Sequence, residues 1–254
     1  MRAAPTISAP SAWRSPPEAL HLGGAEVHVW QAGLDRPPAQ VHTLLHTLST
    51  DERARAERFH FRRDREHFIV ARGLLRAILG RYLNREPGRL QFRYSPYGKP
   101  ALAQDSGGTG LCFNVSHSHG LALYAVTRGR EVGVDVEHIR PTPHLEQIAE
   151  RFFSHREVSA LLSLPQDLRA VAFFLCWTRK EAYIKAKGEG LSLPLDRFDV
   201  SLIPGEPAAL LGTRGDPREA YRWSLRELTP APGYAAALAV EGHGWRLACW
   251  RWLE

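Results

Sequence analysis

Twice along this chain a long helical pattern gives way to several short stretches of alternating apolar and polar residues. A period of 3.6 and a period of 2 cannot be met by one element, so each switch marks a boundary between helix and strand. The first long helix is expected over 64–82, stopping before Pro87, and the second over 166–187, stopping at Gly188. Ser49-Thr-Asp-Glu52 and Ser154-His-Arg-Glu157 read as capping boxes, in which the serine caps and the glutamate reciprocates, so helices should start there too. Strands are expected over 27–30, around Phe92, over 111–115, 121–127 and 132–137, then near 198–202, 221–228, 234–240 and 245–250. The tight Arg128-Gly129-Arg130 turn predicts a hairpin between 121–127 and 132–137. The pattern is that of an α+β fold in two similar halves, with 68–80 loosely aligned to 174–188. Residues 1–20 are rich in Pro, Ser and Ala without an apolar centre, and read as a disordered tail rather than a signal peptide. The halves then divide as 21–130 and 131–254.

Composition narrows the functions. The 254 residues are 44% hydrophobic and 24% charged, ordinary for a soluble globular protein, and no apolar run is long enough to span a membrane. Three cysteines, odd in number and set in apolar neighbourhoods, read as buried free thiols of a reducing compartment, so a cytoplasmic location is expected. A net charge of +6 favours acidic partners: nucleic acid, a phosphorylated small molecule or an acidic protein. Nucleic acid is disfavoured, because the Arg-rich stretch 53–65 is interrupted and flanked by Asp51, Glu52, Glu57, Asp64 and Glu66. Only four of the 33 basic residues are lysines, Lys99, Lys180, Lys185 and Lys187, and three fall within eight residues. An ammonium gives up a proton more readily than a guanidinium, so the cluster points mildly to chemistry.

Four segments carry candidate site residues. In Gly133-Val-Asp-Val-Glu137 the valines share one strand face, and Asp135 and Glu137 share the other with Gly133. Two adjacent carboxylates suit a hard cation such as Mg2+, or else form a solvated edge. In Trp177-Thr-Arg-Lys-Glu-Ala-Tyr-Ile-Lys185, Glu181 and Lys185 are one helical turn apart. They could be a surface ion pair, but Glu181 falls between Phe174 and Trp177 on the most aromatic side, where a carboxylate wants a partner or a metal. In Phe113-Asn-Val-Ser-His117, Ser116 and His117 could donate to a phosphate; a hydrolase reading lacks a nucleophile elbow and an acid partner. Tyr97-Gly-Lys-Pro100 is a turn presenting Lys99. There is no P-loop, no dinucleotide fingerprint and no His-Glu-x-x-His zinc motif.

In this order and spacing the four segments, with Gly190-Leu-Ser-Leu-Pro-Leu-Asp196 after the helix, resemble the 4'-phosphopantetheinyl transferases, over roughly residues 25–240. Length and two-part organisation resemble the larger, surfactin-synthetase-activating (Sfp) type. The resemblance implies a pseudo-dimer of two α+β halves with the active site in the cleft between them. It implies a monomeric enzyme that moves the 4'-phosphopantetheine arm of coenzyme A to a serine of apo carrier proteins, releasing adenosine 3',5'-bisphosphate. Mg2+, with Mn2+ able to stand in, would be held by Asp135, Glu137 and Glu181. Coenzyme A would be contacted by Lys99, Ser116, His117, Lys180 and Lys185. The basic pair that the family carries near the adenosine 3'-phosphate maps to Glu52 and Arg55, of which only Arg55 fits; Arg53 is the substitute.

The catalytic residues implied are Glu181, as base for the carrier serine directly or through a metal-bound water, and Lys185, to neutralise or protonate the leaving bisphosphate. A basic surface suits acidic carrier domains by steering. Carriers of fatty-acid, polyketide and peptide synthesis and aminoadipate reductase all remain open. The alternative from another class is a catalytically inactive coenzyme A or acidic-carrier binding protein of the same fold. Neither nucleic acid nor membrane is an expected partner.

Overall fold

The computed structural model describes residues 12–103 and 110–253. Its strands are β1 (Trp13–Arg14), β2 (Glu26–Gly33), β3 (Phe92–Tyr94), β4 (Pro100–Leu102), β5 (Leu111–Ser118), β6 (Leu121–Arg128), β7 (Val132–His138), β8 (Phe198–Val200), β9 (Leu210–Thr213), β10 (Trp223–Leu228), β11 (Tyr234–Glu241) and β12 (Arg246–Arg251). The helices are α1 (Pro38–Thr47), α2 (Thr50–Ala56), α3 (Arg62–Leu83), α4 (Leu145–Phe152), α5 (His155–Leu162) and α6 (Gln166–Lys187). The α+β class, both long helices and both capping-box starts are as expected. The helix α3 stops on Asn84 at φ 49° and α6 on Gly188 at φ 72°, left-handed conformations that Asn and Gly adopt at low cost.

The chain builds four layers. A five-stranded sheet in the order β1-β12-β2-β6-β5 lies against a three-stranded sheet in the order β10-β11-β7. Alternation along β6 shows how. Leu121, Leu123 and Ala125 pack with Val132, Val134 and Val136 of β7 and with Leu238 and Val240 of β11, forming the core between the sheets. Ala122, Tyr124 and Val126 point the other way, onto Ile69, Val70 and Leu74 of α3. The second sheet's outer face, Ala235, Ala237 and Ala239, is covered by α6 through Phe173, Cys176, Ala182 and Ala186. Small residues on β11 let that helix lie close.

Three expectations need correction. The strands 121–127 and 132–137 are not a hairpin: β6 pairs with β2 and β5, and β7 pairs with β11. The Arg128-Gly129-Arg130 turn instead carries the chain from one sheet to the other, held by Arg130 donating to the carbonyls of Gly24 and Glu241. The hairpin is β5–β6, closed by His119 at φ 49° and Gly120 at φ 86°, both in the left-handed region that two-residue hairpin loops need. Of the tail expected over 1–20, residues 1–11 lie outside the described residues, but Trp13 and Arg14 pair with Cys249 and Trp250. The last strand, β12, runs parallel to β2 in the first sheet, so a segment of 131–254 returns to the sheet built by 21–130. The helix α1, with Pro38 at its first turn, was missed, although a proline there is itself a start signal.

Candidate active site

The site begins at Gly133. A Cβ on this residue would run into the carbonyl oxygen of Ala182 and the backbone nitrogen of Ala186, so only glycine lets α6 cross β7 this closely. Asp135 and Glu137 share Gly133's face by strand alternation, and Glu181 and Lys185 flank Ala182 and Ala186 on the helix. The close crossing therefore brings two strand carboxylates against one helical carboxylate and one ammonium. Lys185 Nζ lies 2.6 Å from Asp135 Oδ1 and 3.0 Å from Ser116 Oγ.

Beside β7 runs β5, each the edge of its own sheet. Side chains rather than a backbone ladder join them. Asn114 Oδ1 accepts from Val134 N at 2.9 Å, Ser116 Oγ from Val136 N at 3.4 Å and Ser118 Oγ from His138 N at 3.3 Å. Alternate amides of β7 are thus satisfied by alternate side chains of β5, which closes two exposed edges on one another. The two serine hydroxyls also donate to the carboxylates, Ser116 to Asp135 Oδ1 at 2.8 Å and Ser118 to Glu137 Oε2 at 2.7 Å. Asn114 and Ser118 were not singled out from sequence, though their period of two along an edge strand was a visible signal.

Burial raises the carboxyl pKa of Glu181 above the ordinary glutamate value; the neighbouring Asp135 adds to the rise and Lys185 opposes it. Burial likewise raises Glu137, against the Ser118 hydrogen bond and with Asp135 adding to the shift. The three carboxylates therefore feel one another. Asp135 is 3% exposed, and its Oδ2 is buried without a hydrogen-bond partner. An orphaned buried oxygen beside two crowded carboxyls is the donor chemistry of a hard cation. As placed, no three His, Cys, Asp or Glu side chains among the described residues form a ready cage. Mg2+ does not need one, since it keeps several waters and takes one or two carboxylates plus substrate phosphates. The residues present fit such an ion.

Next to the carboxylates opens a cavity of about 240 Å3, lined by Tyr97, Lys99, Asn114, Glu181, Lys185 and Gly190 among others. Lys99 reaches it from the turn between β3 and β4, and its ammonium donates to Glu131 at 2.7 Å and to the Ala186 carbonyl at 2.8 Å. His117 points to the opposite face of β5 from Ser116, the face of Phe113 and Val115, by the strand's alternation. Partial desolvation beside the seam, then the Lys185 ammonium, lower its pKa although the side chain remains accessible. Arg55 is exposed on α2 with its guanidinium over the Phe68 ring, and it is not among the residues lining the cavity. Arg53 is spent on the last carbonyls of α1, His46 and Leu48.

One position departs from expectation, and a mismatch already visible in the sequence finds its explanation. Lys180 does not face the site: it is 0% exposed, and its ammonium is held at 2.7 Å by Glu157 Oε2, the Leu195 carbonyl and the Phe198 carbonyl. Its three donors are used, so the coenzyme A contact expected of it is withdrawn. Glu52, which stands where the family pattern has a basic residue, is 2% exposed and paired with Arg72 and Arg76 of α3.

Comparison with known proteins places these residues in context. The family described as "4'-phosphopantetheinyl transferase superfamily" matches residues 131–239, and the one described as "4'-phosphopantetheinyl transferase, N-terminal" matches residues 35–128. The chain is 45% identical over 240 residues to 4'-phosphopantetheinyl transferase HetI of a Nostoc species, covering 94% of this chain and 98% of that one. It is 32% identical over 171 residues to 4'-phosphopantetheinyl transferase Sfp of Bacillus subtilis, covering 66% and 74%. A phosphopantetheinyl transferase of a Thraustochytrium species is 28% identical over 240 residues, covering 90% and 81%.

Proposed function

The chain belongs to the 4'-phosphopantetheinyl transferase superfamily, an Sfp-like enzyme that transfers phosphopantetheine from coenzyme A to apo carrier proteins, and from that premise we propose how its own residues do so. Asp135, Glu137 and Glu181 would hold Mg2+. When bound there, the ion would offset charge on the coenzyme A pyrophosphate as it redistributes. Glu181 takes the proton of the attacking carrier serine. Lys185, one turn along the same helix, turns its ammonium to the departing adenosine 3',5'-bisphosphate. Lys99 and His117 bind coenzyme A phosphates and Arg55 takes the adenosine 3'-phosphate, while the phosphate contact expected of Ser116 is given up because its one proton goes to Asp135. Orientation in the cavity beside these groups supplies much of the acceleration.

The two-halves reading is supported by a repeated device. Each capping-box glutamate is buried, accepts from its own capping serine's amide, and is gripped by cations of the long helix that follows. Glu52 takes Ser49 N at 3.0 Å together with Arg72 and Arg76; Glu157 takes Ser154 N at 2.9 Å together with Lys180. Such a repeat suits a pseudo-dimer of two α+β units with the site in the cleft between them, acting as a monomer. The net charge of +6 suits acidic carriers. No helix among the described residues is long and apolar enough to cross a membrane.

The observation that carries this reading is the junction of Lys185, Asp135 and Ser116 with Glu181, where α6 meets the two strand edges. Incubation with an apo carrier should add about 340 Da, the mass of the transferred phosphoryl-pantetheine arm, and only with both Mg2+ and coenzyme A present. Asp135→Ala, Glu137→Ala and Glu181→Ala should each lower turnover by orders of magnitude. A variant that keeps near-normal turnover at millimolar Mg2+ removes its residue from the ligand set.

A further inference from the structure

Two serines two residues apart on β5 make the same pair of bonds to two carboxylates two residues apart on β7. Ser116 donates to Asp135 and accepts from the amide that follows it; Ser118 donates to Glu137 and accepts from the amide that follows it. A hydroxyl has one proton and two lone pairs. When a strand amide occupies a lone pair, the O–H can be committed to the carboxylate, and the serine becomes a fixed bracket between backbone and side chain. Asp135 has a second restraint in Lys185. Glu137 is nearer the strand's end and half-buried, and it accepts a hydrogen bond from Ser118.

Resting on the metal-site reading above, we propose that Ser118 is a positioning residue for Glu137. By tying Oε2 to the β5 edge it holds the carboxylate beside Asp135 and Glu181, so that a divalent cation meets an ordered ligand rather than a glutamate sampling several rotamers. Such brackets behind ligating carboxylates commonly set metal affinity. The bracket also depends on the other sheet, since Ser118 belongs to the sheet of β2 and β6 while Glu137 belongs to that of β10 and β11. Metal affinity is thereby linked to the alignment of the two edges.

Asn114 provides the internal control. It makes the same kind of bond across the seam, to Val134 N, whereas the hydrogen bonds from β5 to Asp135 and Glu137 come from Ser116 and Ser118. Loss of Asn114 loosens the seam; loss of Ser118 loosens the seam and frees Glu137.

The test uses full-length wild type, Ser118→Ala, Ser118→Thr and Asn114→Ala. Mn2+ binding is titrated directly without coenzyme A, and amide exchange is followed at Val134 and His138. Ser118→Ala should weaken Mn2+ binding about tenfold, the lower end of what such supporting partners contribute, and should speed exchange at His138. Ser118→Thr, which keeps the hydroxyl, should restore affinity to within about twofold of wild type. Asn114→Ala should speed exchange at Val134 and leave Mn2+ affinity within about twofold. Equal weakening in Ser118→Ala and Asn114→Ala would overturn the proposal, because the cause would then be general loosening. So would unchanged affinity in Ser118→Ala where wild type binds Mn2+ and Asp135→Ala does not. Wild type that binds Mn2+ only with coenzyme A present moves the same comparison to that condition, and wild type that binds no Mn2+ either alone or with coenzyme A overturns the metal-site reading itself, and this inference with it.

Discussion

The ammonium of Lys180 lies 2.7 Å from Glu157 Oε2, with both side chains shut away from solvent. Glu157 spends its other oxygen on Val200 N at 2.8 Å, and Lys180 also sits 4.3 Å from the centre of the Phe198 ring. The pair therefore ties α6 to the start of α5 and to β8. Removing one member leaves the other charge buried without its partner, which costs about 3–5 kcal/mol. Lys180→Ala should lose stability on that scale in equilibrium urea unfolding, while the folded fraction keeps its KM for coenzyme A. A stable variant with a raised KM would return Lys180 to the binding site.

Lys185 and Lys187 differ by two residues and point to different work. Lys185 meets Asp135 and Ser116, whereas Lys187 pairs with Glu219 at 3.0 Å and Glu189 at 3.3 Å. Removing a charge that acts on the transition state costs about 10²–10³ in kcat. Lys185→Ala should fall in that range with a smaller change in coenzyme A affinity, and Lys185→Arg should recover only part, since a guanidinium keeps charge but is a poor acid. Lys187→Ala should keep kcat and lose some stability, because Glu219 also receives Trp223 Nε1 and Arg222. Equal mild losses in kcat for both alanine variants would end the distinction.

These two lysines also mark where the sequence was legible. The i,i+4 spacing of Glu181 and Lys185 is a property of one helix, and the face shared by Gly133, Asp135 and Glu137 is a property of one strand; both were readable locally. Lys180 was not, because α6 is apolar around most of its circumference and the wheel gives no direction for a charge that is paid by carbonyls of residues 195 and 198. The expected hairpin failed for a related reason. A short turn suggests pairing of its flanks, but β7 finds its partner in β11, about a hundred residues on, because its valine face belongs to the core between the sheets. The Asn114, Ser116 and Ser118 seam was written in the chain as a period of two, yet nothing local says which edge those side chains will meet.

Gly133 is the point on which the crossing of α6 depends. With β11 paired along one side and the intersheet core beneath, β7 has little room to retreat from an added methyl group. Overpacking of this kind costs about 1–3 kcal/mol. Gly133→Ala should lower the unfolding free energy on that scale and depress kcat further than KM, since Glu181 and Lys185 move with the helix. Thermal unfolding and steady-state kinetics on the same preparation check both halves. Wild-type kcat in a destabilised protein would show that α6 can shift without disturbing the site.

The acidic cluster should make the metal-free protein less stable than it need be. Glu137 and Glu181 have folded pKa values above the ordinary 4.5, burial being the main cause. A carboxyl shifted this way contributes stability below its unfolded pKa and loses it as pH rises through the folded one. Glu52 has the opposite sign: burial opposes, but Arg76, the Ser49 amide and Arg72 together lower its pKa, so its contribution is present above the unfolded value and is lost on acidification through the folded one. Glu181→Gln should therefore raise the Tm of metal-free protein at about pH 8, with the difference shrinking toward about pH 4 as the wild-type carboxyl protonates. The same variant should lose turnover and should show a smaller rise in Tm on adding Mg2+ than wild type does. Glu52→Gln should lower Tm at neutral pH. A Glu181→Gln protein no more stable than wild type at any pH would mean that solvent already relieves the crowding, and the raised pKa would have no bearing on the fold.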